Sequence, residues 1–151
     1  MAVGELRRAR GDELAAVVAL QQGAYAGNRA IMGVEPLPLL ADYAEVFRNC
    51  EVWVLDGRDG LDGVLILEQR PDDLLIWSIA CAAGRAGSGI GNRLLEASEQ
   101  RAREVGSLVM RLYTDERLGK NVAWYGRHGY AQERIEELSD RRLVHMVKRL
   151  D

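Results

Sequence analysis

GRAGSGIGNRLLEASEQRA, residues 84–102, carries a glycine-rich turn straight into an amphipathic helix. Gly87, Gly89 and Gly91 remove side chains where a backbone must curl and a ligand must come close. Ile90, Leu94, Ala97, Ala102 and Val105 recur on roughly one helical face, with charged residues opposite. The first turn of such a helix has N–H groups without intrahelical partners and the positive end of the helix dipole, a setting that suits phosphate. An apolar run, LLIWSIACAA at 74–83, precedes the turn, so the unit reads strand–turn–helix. The arrangement points to a nucleotide-like ligand held through backbone.

Several readings of that turn compete, one of them a helix start with no ligand at all. A P-loop places Lys and then Ser or Thr after its last glycine, where this chain has Asn92 and Arg93. A dinucleotide fingerprint starting at Gly87 and Gly89 meets Asn92 at its third glycine, in mid-chain and without a surrounding βαβ repeat. The remaining candidate is a pyrophosphate loop of the acetyl-CoA type, and a second segment, KNVAWYGRHGY at 120–130, bears on it.

Together the two segments resemble the GNAT acetyltransferase superfamily. In that family an Arg/Gln-x-x-Gly-x-Gly/Ala loop is followed, after another strand, by an Asn…Tyr…Gly-Phe/Tyr segment. GSGIGNRLL matches the loop, and Asn121, Tyr125, Gly129 and Tyr130 match the second segment in order and spacing. SLVMRLYT between the motifs and the closing RRLVHMVKRL agree as strands, so the resemblance runs essentially through the whole chain. One position departs: Ala86 stands where the family carries Arg or Gln, and Arg85 sits one residue early.

The resemblance implies a single N-acetyltransferase domain over 1–151, an α/β fold whose mixed, mostly antiparallel central sheet is flanked by helices on both faces. It implies transfer of the acetyl group of acetyl-CoA to a primary amine, by direct attack in a ternary complex. In the family the strand before the glycine loop bulges and splays from its neighbour, and the pantetheine arm lies in the gap. Carried over, the backbone of Ile79 and Cys81 would bind pantetheine, and the Cys81 N–H would polarise the acetyl carbonyl. The amides of Gly87, Ser88, Gly89, Ile90, Gly91 and Asn92 would cradle the pyrophosphate. Asn121 would bond the cofactor arm, and Tyr125 would contact the cofactor and protonate the leaving thiolate. A phenol with a pKa near 10 is protonated at neutral pH and can donate.

A primary amine of pKa near 10.4 is only about 0.1% neutral at pH 7, so its proton must go somewhere. Glu68, Asp72 and Asp73, on or near the strands flanking the gap, are the candidate bases. Related sequences often carry Glu-Asn where this chain has Trp77-Ser78, which removes one carboxylate; Trp77 reads as core or as a pocket wall. Cys81 lies in an apolar strand with no His nearby in sequence, which favours direct transfer over an acyl-cysteine. His128 and His145 have no partner pattern and read as structural. The acceptor site is expected around residues 31–43, with Glu35 and Asp42 to attract an amine and Tyr25, Met32 and Tyr43 as walls.

Bulk properties fit a small enzyme. The chain has 151 residues, enough to bury a good core. A net charge of −3 and a pI near 5.5 give no general reason to bind nucleic acid or an anionic membrane. No apolar run approaches the roughly 20 residues of a membrane span. Two cysteines, Cys50 and Cys81, are too few for a disulfide framework, and metal-ligand spacing is absent. The expectation is a cytoplasmic protein whose partner is a small-molecule or peptide amine, with a homodimer left open. A catalytically weak CoA-binding sensor or partner-binding domain is the alternative that Ala86 and the missing strand carboxylate motivate.

The remaining elements follow from pattern. VGELRRA (3–9) reads as a strand, and Asp12 as the N-cap of a helix carrying Leu14, Val17, Val18, Gln21 and Tyr25. Residues 27–38 read as a loop, followed by a helix with Leu39, Leu40, Tyr43, Val46 and Phe47. EVWVLDG (51–57), GVLILEQR (63–70) and LLIWSIACA (74–82) read as strands, with Pro71-Asp72-Asp73 turning between the last two.

Overall fold

The computed structural model describes residues 6–151. Seven strands form one sheet in the order β1-β2-β3-β4-β5-β7-β6. They are β1 (Leu6–Arg8), β2 (Glu51–Gly57), β3 (Gly60–Gln69), β4 (Leu74–Cys81), β5 (Val109–Asp115), β6 (Ala131–Glu137) and β7 (Arg142–Arg149). Every neighbouring pair is antiparallel except β4 and β5. The helices are α1 (Leu14–Met32), α2 (Leu37–Leu40), α3 (Tyr43–Asn49), α4 (Ile90–Glu104) and α5 (Gly119–Arg127). This is the mixed, mostly antiparallel sheet expected from the sequence, with helices on both faces.

Period-2 alternation sends neighbouring side chains of a strand into different cores. Val52, Val54, Val64, Ile66 and Ala80 pack with Val17 and Leu20 of α1 and Tyr43 and Val46 of α3. Leu65, Leu67, Leu74, Ile76, Met110 and Leu112 pack on the other face with Ile90, Leu94, Leu95 and Ala102 of α4. Gly63 allows α4 to sit down on β3, because a Cβ there would lie 3.1 Å from the Ile90 methyl and 3.3 Å from Leu94. No described helix is long and apolar enough to cross a membrane.

Residues 3–5 of the first predicted strand lie outside the described residues, and Leu6–Arg8 form β1. Asp12 does not cap α1: it lies in a 3₁₀ turn, Gly11–Glu13, and pairs with Arg10, while Glu13 holds the N-cap position. The helix continues through the predicted loop to Met32, ending where Gly33 turns left-handed (φ +74°) and donates its N–H to the Arg29 carbonyl. Burial of Met32 outweighs the weak helix propensity of Gly23 and Gly27. The next predicted helix is two pieces, divided at Asp42, whose carboxylate caps α3 by accepting from the Ala44 N–H at 2.9 Å. Strand β6 was not expected at all. Its AQERIEE is polar and largely exposed, an edge strand held by β7 alone.

Candidate active site

The site is built where β4 and β5 part. The two strands pair only at Leu74–Met110 and Leu75–Arg111, and beyond that no rung joins them. Beside this opening β4 carries a bulge: Leu67 pairs with Ile76 and Ile66 with Ser78, so Trp77 is the extra residue. Ala82 donates its N–H across to the Asp62 carbonyl at 2.8 Å. Strand backbone groups alternate sides, so the polar groups of Cys81 and Ile79 face the edge that β5 has left.

A cavity of about 330 Å³ occupies the opening. Ile76 to Ala83 of β4 and the loop after it form one bank, and Leu112 to Asp115 of β5 the other. Tyr25, Asn28 and Met32 of α1, Pro36 to Pro38, Asn121 and Tyr125 of α5, and Arg141 close it. Ile79, Cys81, Asn121 and Tyr125 are thus brought together around one space. Gly87 to Asn92 lie outside that wall, continuing from Ala86, which does line it.

The glycine loop has the local geometry its sequence suggests. Gly87 and Gly89 have φ of +81° and +87°, values an L side chain rarely adopts. Gly89 caps α4 without any side-chain bond, and the first helical bond runs from Arg93 N–H to the Gly89 carbonyl at 3.2 Å. The amides of Ile90, Gly91 and Asn92 therefore precede the helical ladder, directly after the exposed Gly87 to Gly89. Ser88 turns its hydroxyl back to the Arg85 carbonyl. Arg85 does not replace the residue missing at Ala86: its guanidinium pairs with Asp62 at 3.3 Å.

Tyr125 is fixed by edge contacts with Trp124 (4.9 Å) and Tyr130 (5.7 Å between ring centroids). Burial pushes its hydroxyl well above the ordinary phenol range, with the neighbouring Tyr25 adding to the shift. Tyr25 is itself pushed up to about 12 by burial, partly offset by its bond to Ser78. Both phenols are neutral at physiological pH.

The expected bases are elsewhere. Asp72 and Asp73 precede β4, at the end away from the cavity; at about 3.3 Å per residue Asp73 lies roughly 20 Å along the strand from Ile79. Asp73 is held by Arg70 (2.6 Å) and Arg111 (3.0 Å), and these bonds hold its carboxyl below the usual range. Glu68 does not line the cavity. The carboxylate that does is Asp115, bound by Arg117 through both oxygens at 2.9 Å and lowered by that partner. On the acceptor side, Tyr25 and Met32 reach the cavity, but Glu35 pairs with Arg29 and Asp42 is used as a cap. Tyr43 lies behind the wall, edge-on to Trp77 and donating to the Pro38 carbonyl.

Sequence reasoning missed Asn28, Ser78, Tyr113, Asp115 and Arg141 as cavity residues. Ser78 belongs to a buried chain in which Gln21 donates to Ser78 Oγ and to the Tyr43 hydroxyl, each at 3.0 Å. The alternation of Ser78 with a bulged Trp77 is invisible without the register of β3.

The model for the acetyltransferase (GNAT) domain matches residues 48–132. The chain belongs to the GNAT acetyltransferase family. Solved GNAT-type structures share the fold at low identity. A PaiA N-acetyltransferase from Thermoplasma acidophilum in complex with coenzyme A is 15% identical, covering 96% of this chain and 98% of its own, with a TM-score of 0.76. An IAA acetyltransferase from Bacillus cereus is 21% identical over 97% and 99%, with a TM-score of 0.73. The ribosomal-protein-S18-alanine N-acetyltransferase from Escherichia coli is 16% identical over 97% and 93%, with a TM-score of 0.74. No curated protein matches the chain.

Proposed function

We propose that residues 1–151 act as one N-acetyltransferase domain that moves the acetyl group of acetyl-CoA to a primary amine by direct attack in a ternary complex. The observation that carries this reading is the opening between β4 and β5, with a free strand edge on one bank and, beyond it, an exposed glycine turn leading into a helix start with no side-chain cap. Those features fit an elongated molecule with a diphosphate at one end and an amide-bearing arm at the other. Backbone groups of Ile79 and Cys81 pair with the arm, and the amides of Gly87, Ser88, Gly89, Ile90, Gly91 and Asn92 hold the diphosphate. Asn121 bonds the arm from the opposite side. A cavity of about 330 Å³ lies at the small end of the range for small-molecule sites, which favours a small acceptor.

Acetyl-CoA supplies, when bound, an acetyl group activated as a thioester. The Cys81 N–H stabilises negative charge on the carbonyl oxygen as the amine nitrogen bonds to the carbonyl carbon. Tyr125 donates its proton at sulfur as the carbon–sulfur bond breaks. The amine proton leaves through solvent, because among the described residues no unengaged carboxylate lines the cavity.

The first test is calorimetric titration with acetyl-CoA, with ATP and NAD as controls, followed by CoA-thiol release across an amine panel. Selective binding and amine-dependent release support the reading; absence of acetyl-CoA binding at millimolar concentration overturns it. Binding without turnover on any amine would leave the sensor role, which Ala86 favours.

A further inference from the structure

One wall group of the cavity has an unmet need. Arg141 is buried, its side chain 3% exposed, in the turn between β6 and β7. Its Nε and Nη2 donate side-on to the two oxygens of Asp140, at 3.0 and 3.1 Å. Its Nη1 is buried and has no hydrogen-bond partner among the described residues. Leaving a buried charged donor unpaired costs more than a neutral one, so such a group marks a place where something else binds.

The neighbours do not meet that need. Asp115 lines the same cavity and attracts Arg141 through space, but its oxygens accept from the Arg117 side chain and backbone N–H, and it makes no direct bond to Arg141. Arg117 is itself saturated: Nε and Nη2 go to Asp115, and Nη1 to the Met32 carbonyl at 2.6 Å. This ties α1 to β5 and fixes the wall from which Arg141 faces the cavity. The rest of the acceptor side, Met32, Pro36, Leu37, Pro38 and Trp77, is apolar or aromatic and offers no competing charge.

We propose that Arg141 is the anchor for a carboxylate carried by the acceptor, so that the substrates are small amino acids or other aminocarboxylates. The inference rests on the acetyl-transfer reading above. A guanidinium has no acceptor capacity and keeps its charge, so its free nitrogen selects an anionic oxygen, and charge-assisted bonds of this kind are the strong ones. The anchored carboxylate leaves the amine end free to reach the β4 bank, where Cys81 and Tyr125 face the same space. Bare alkylamines and amino amides lack the group that completes Arg141.

The test compares matched sets: leucine, leucinamide and 3-methylbutylamine, with the same comparison for phenylalanine, and with glutamate and β-alanine as further carboxylates. Compared per unit of neutral amine, because an amino amide is less basic than its amino acid and more of it is neutral at a given pH, wild-type kcat/KM for a carboxylate is expected to exceed that for its amide by about tenfold or more. Arg141→Gln removes that preference, and Arg141→Lys keeps part of it. In parallel, calorimetry with CoA present compares N-acetyl-leucine, N-acetyl-phenylalanine and N-acetyl-glutamate with their amides, a readout that needs no turnover. Carboxylates binding about tenfold tighter support the proposal even where a mutant fails to fold, since the wild-type comparison stands alone. Amides bound, or turned over per unit of neutral amine, as well as carboxylates, or no member of the panel binding, overturn it. A preference unchanged in a folded Arg141→Gln protein does the same. If acetyl-CoA itself does not bind, the acetyl-transfer reading has failed; if it binds and only alkylamines react, this inference alone has failed.

Discussion

The Tyr25 hydroxyl and the Ser78 Oγ stand 2.9 Å apart, joining the middle of α1 to the bulge of β4 at the floor of the cavity. Gln21, fully buried, completes the junction from one turn earlier in the helix. Ser78→Ala would leave the Gln21 amide and the Tyr25 hydroxyl each short of a partner. The expected cost is about 1–3 kcal/mol, which thermal denaturation reads as a fall in Tm of roughly 2–4 °C per kcal/mol. An unchanged melting curve would show that the junction does not hold the bulge.

Tyr125→Phe keeps the edge contacts with Trp124 and Tyr130 and removes only the hydroxyl. We predict a fall in kcat of about 100-fold, within the range for lost general acid catalysis, with acetyl-CoA affinity nearly intact by calorimetry. Burial raises the Tyr125 hydroxyl above its ordinary value, so the wild-type rate should show no alkaline loss below pH 10. Equal turnover of mutant and wild type across the pH profile would remove Tyr125 from the mechanism.

With Asp115 neutralised by Arg117 and Asp73 far along the strand, the neutral fraction of the amine should control the rate. The α-amino group of a peptide or amino amide, with a pKa near 8, is about 10% neutral at pH 7, against about 0.1% for a lysine-like amine, and that of a free amino acid lies between the two. Log kcat/KM is therefore predicted to rise with unit slope until the pH reaches the pKa of each amine used. A plateau at one common pH for amines of different basicity would reveal a protein base instead.

Gly89→Ala places a Cβ at φ +87° where α4 begins. The substituted Cβ meets no neighbour, so the penalty is backbone strain alone, roughly 1 kcal/mol. Relief of that strain turns the first amides of α4 away from their present direction, and acetyl-CoA affinity should drop severalfold in a titration while free-protein Tm falls by a few degrees. Full affinity in the mutant would argue that these amides do not hold the diphosphate.

Glu51 is predicted to contribute to the acid sensitivity of the fold. Burial raises its carboxyl, but bonds from Arg101 (2.9 and 3.0 Å), Trp53 (2.9 Å) and Gln69 outweigh this and hold it at about 2, below its ordinary 4.5. Its contribution is complete above pH 4.5 and is lost as the pH falls from there toward 2. After solvent screening this is about 1 kcal/mol. Glu51→Gln should lower Tm at pH 7 and flatten its decline across that acid window; parallel curves for mutant and wild type would assign the acid sensitivity to other carboxylates.

Strong local patterns were readable. LLIWSIAC and VLILE are short apolar runs bounded by turn residues and so read as buried strands, and Gly87-Ser88-Gly89 announces a turn before a helix. Tertiary effects were not. Gly27 looks like a stop, yet the helix passes through it because Met32, further on, is buried. AQERIEE offers one large apolar residue, Ile135, so only its pairing with β7 makes it a strand. Arg141, between Asp140 and Arg142, reads as one more solvated charge in a turn. Its burial follows from where β6 and β7 leave the sheet, which no local pattern encodes.

The early parting of β4 from β5 leaves the sheet as two plates, β1 to β4 and β5 with β7 and β6, hinged on two residue pairs. In the proposed complex, a molecule lodged along the free edge would supply rungs that the protein withholds from itself. Occupancy then stiffens both plates at once, and amide exchange should slow on the far bank, at Leu112 to Thr114, as well as at the residues touched. What a closed sheet keeps as internal rigidity, this one holds in reserve for its guest.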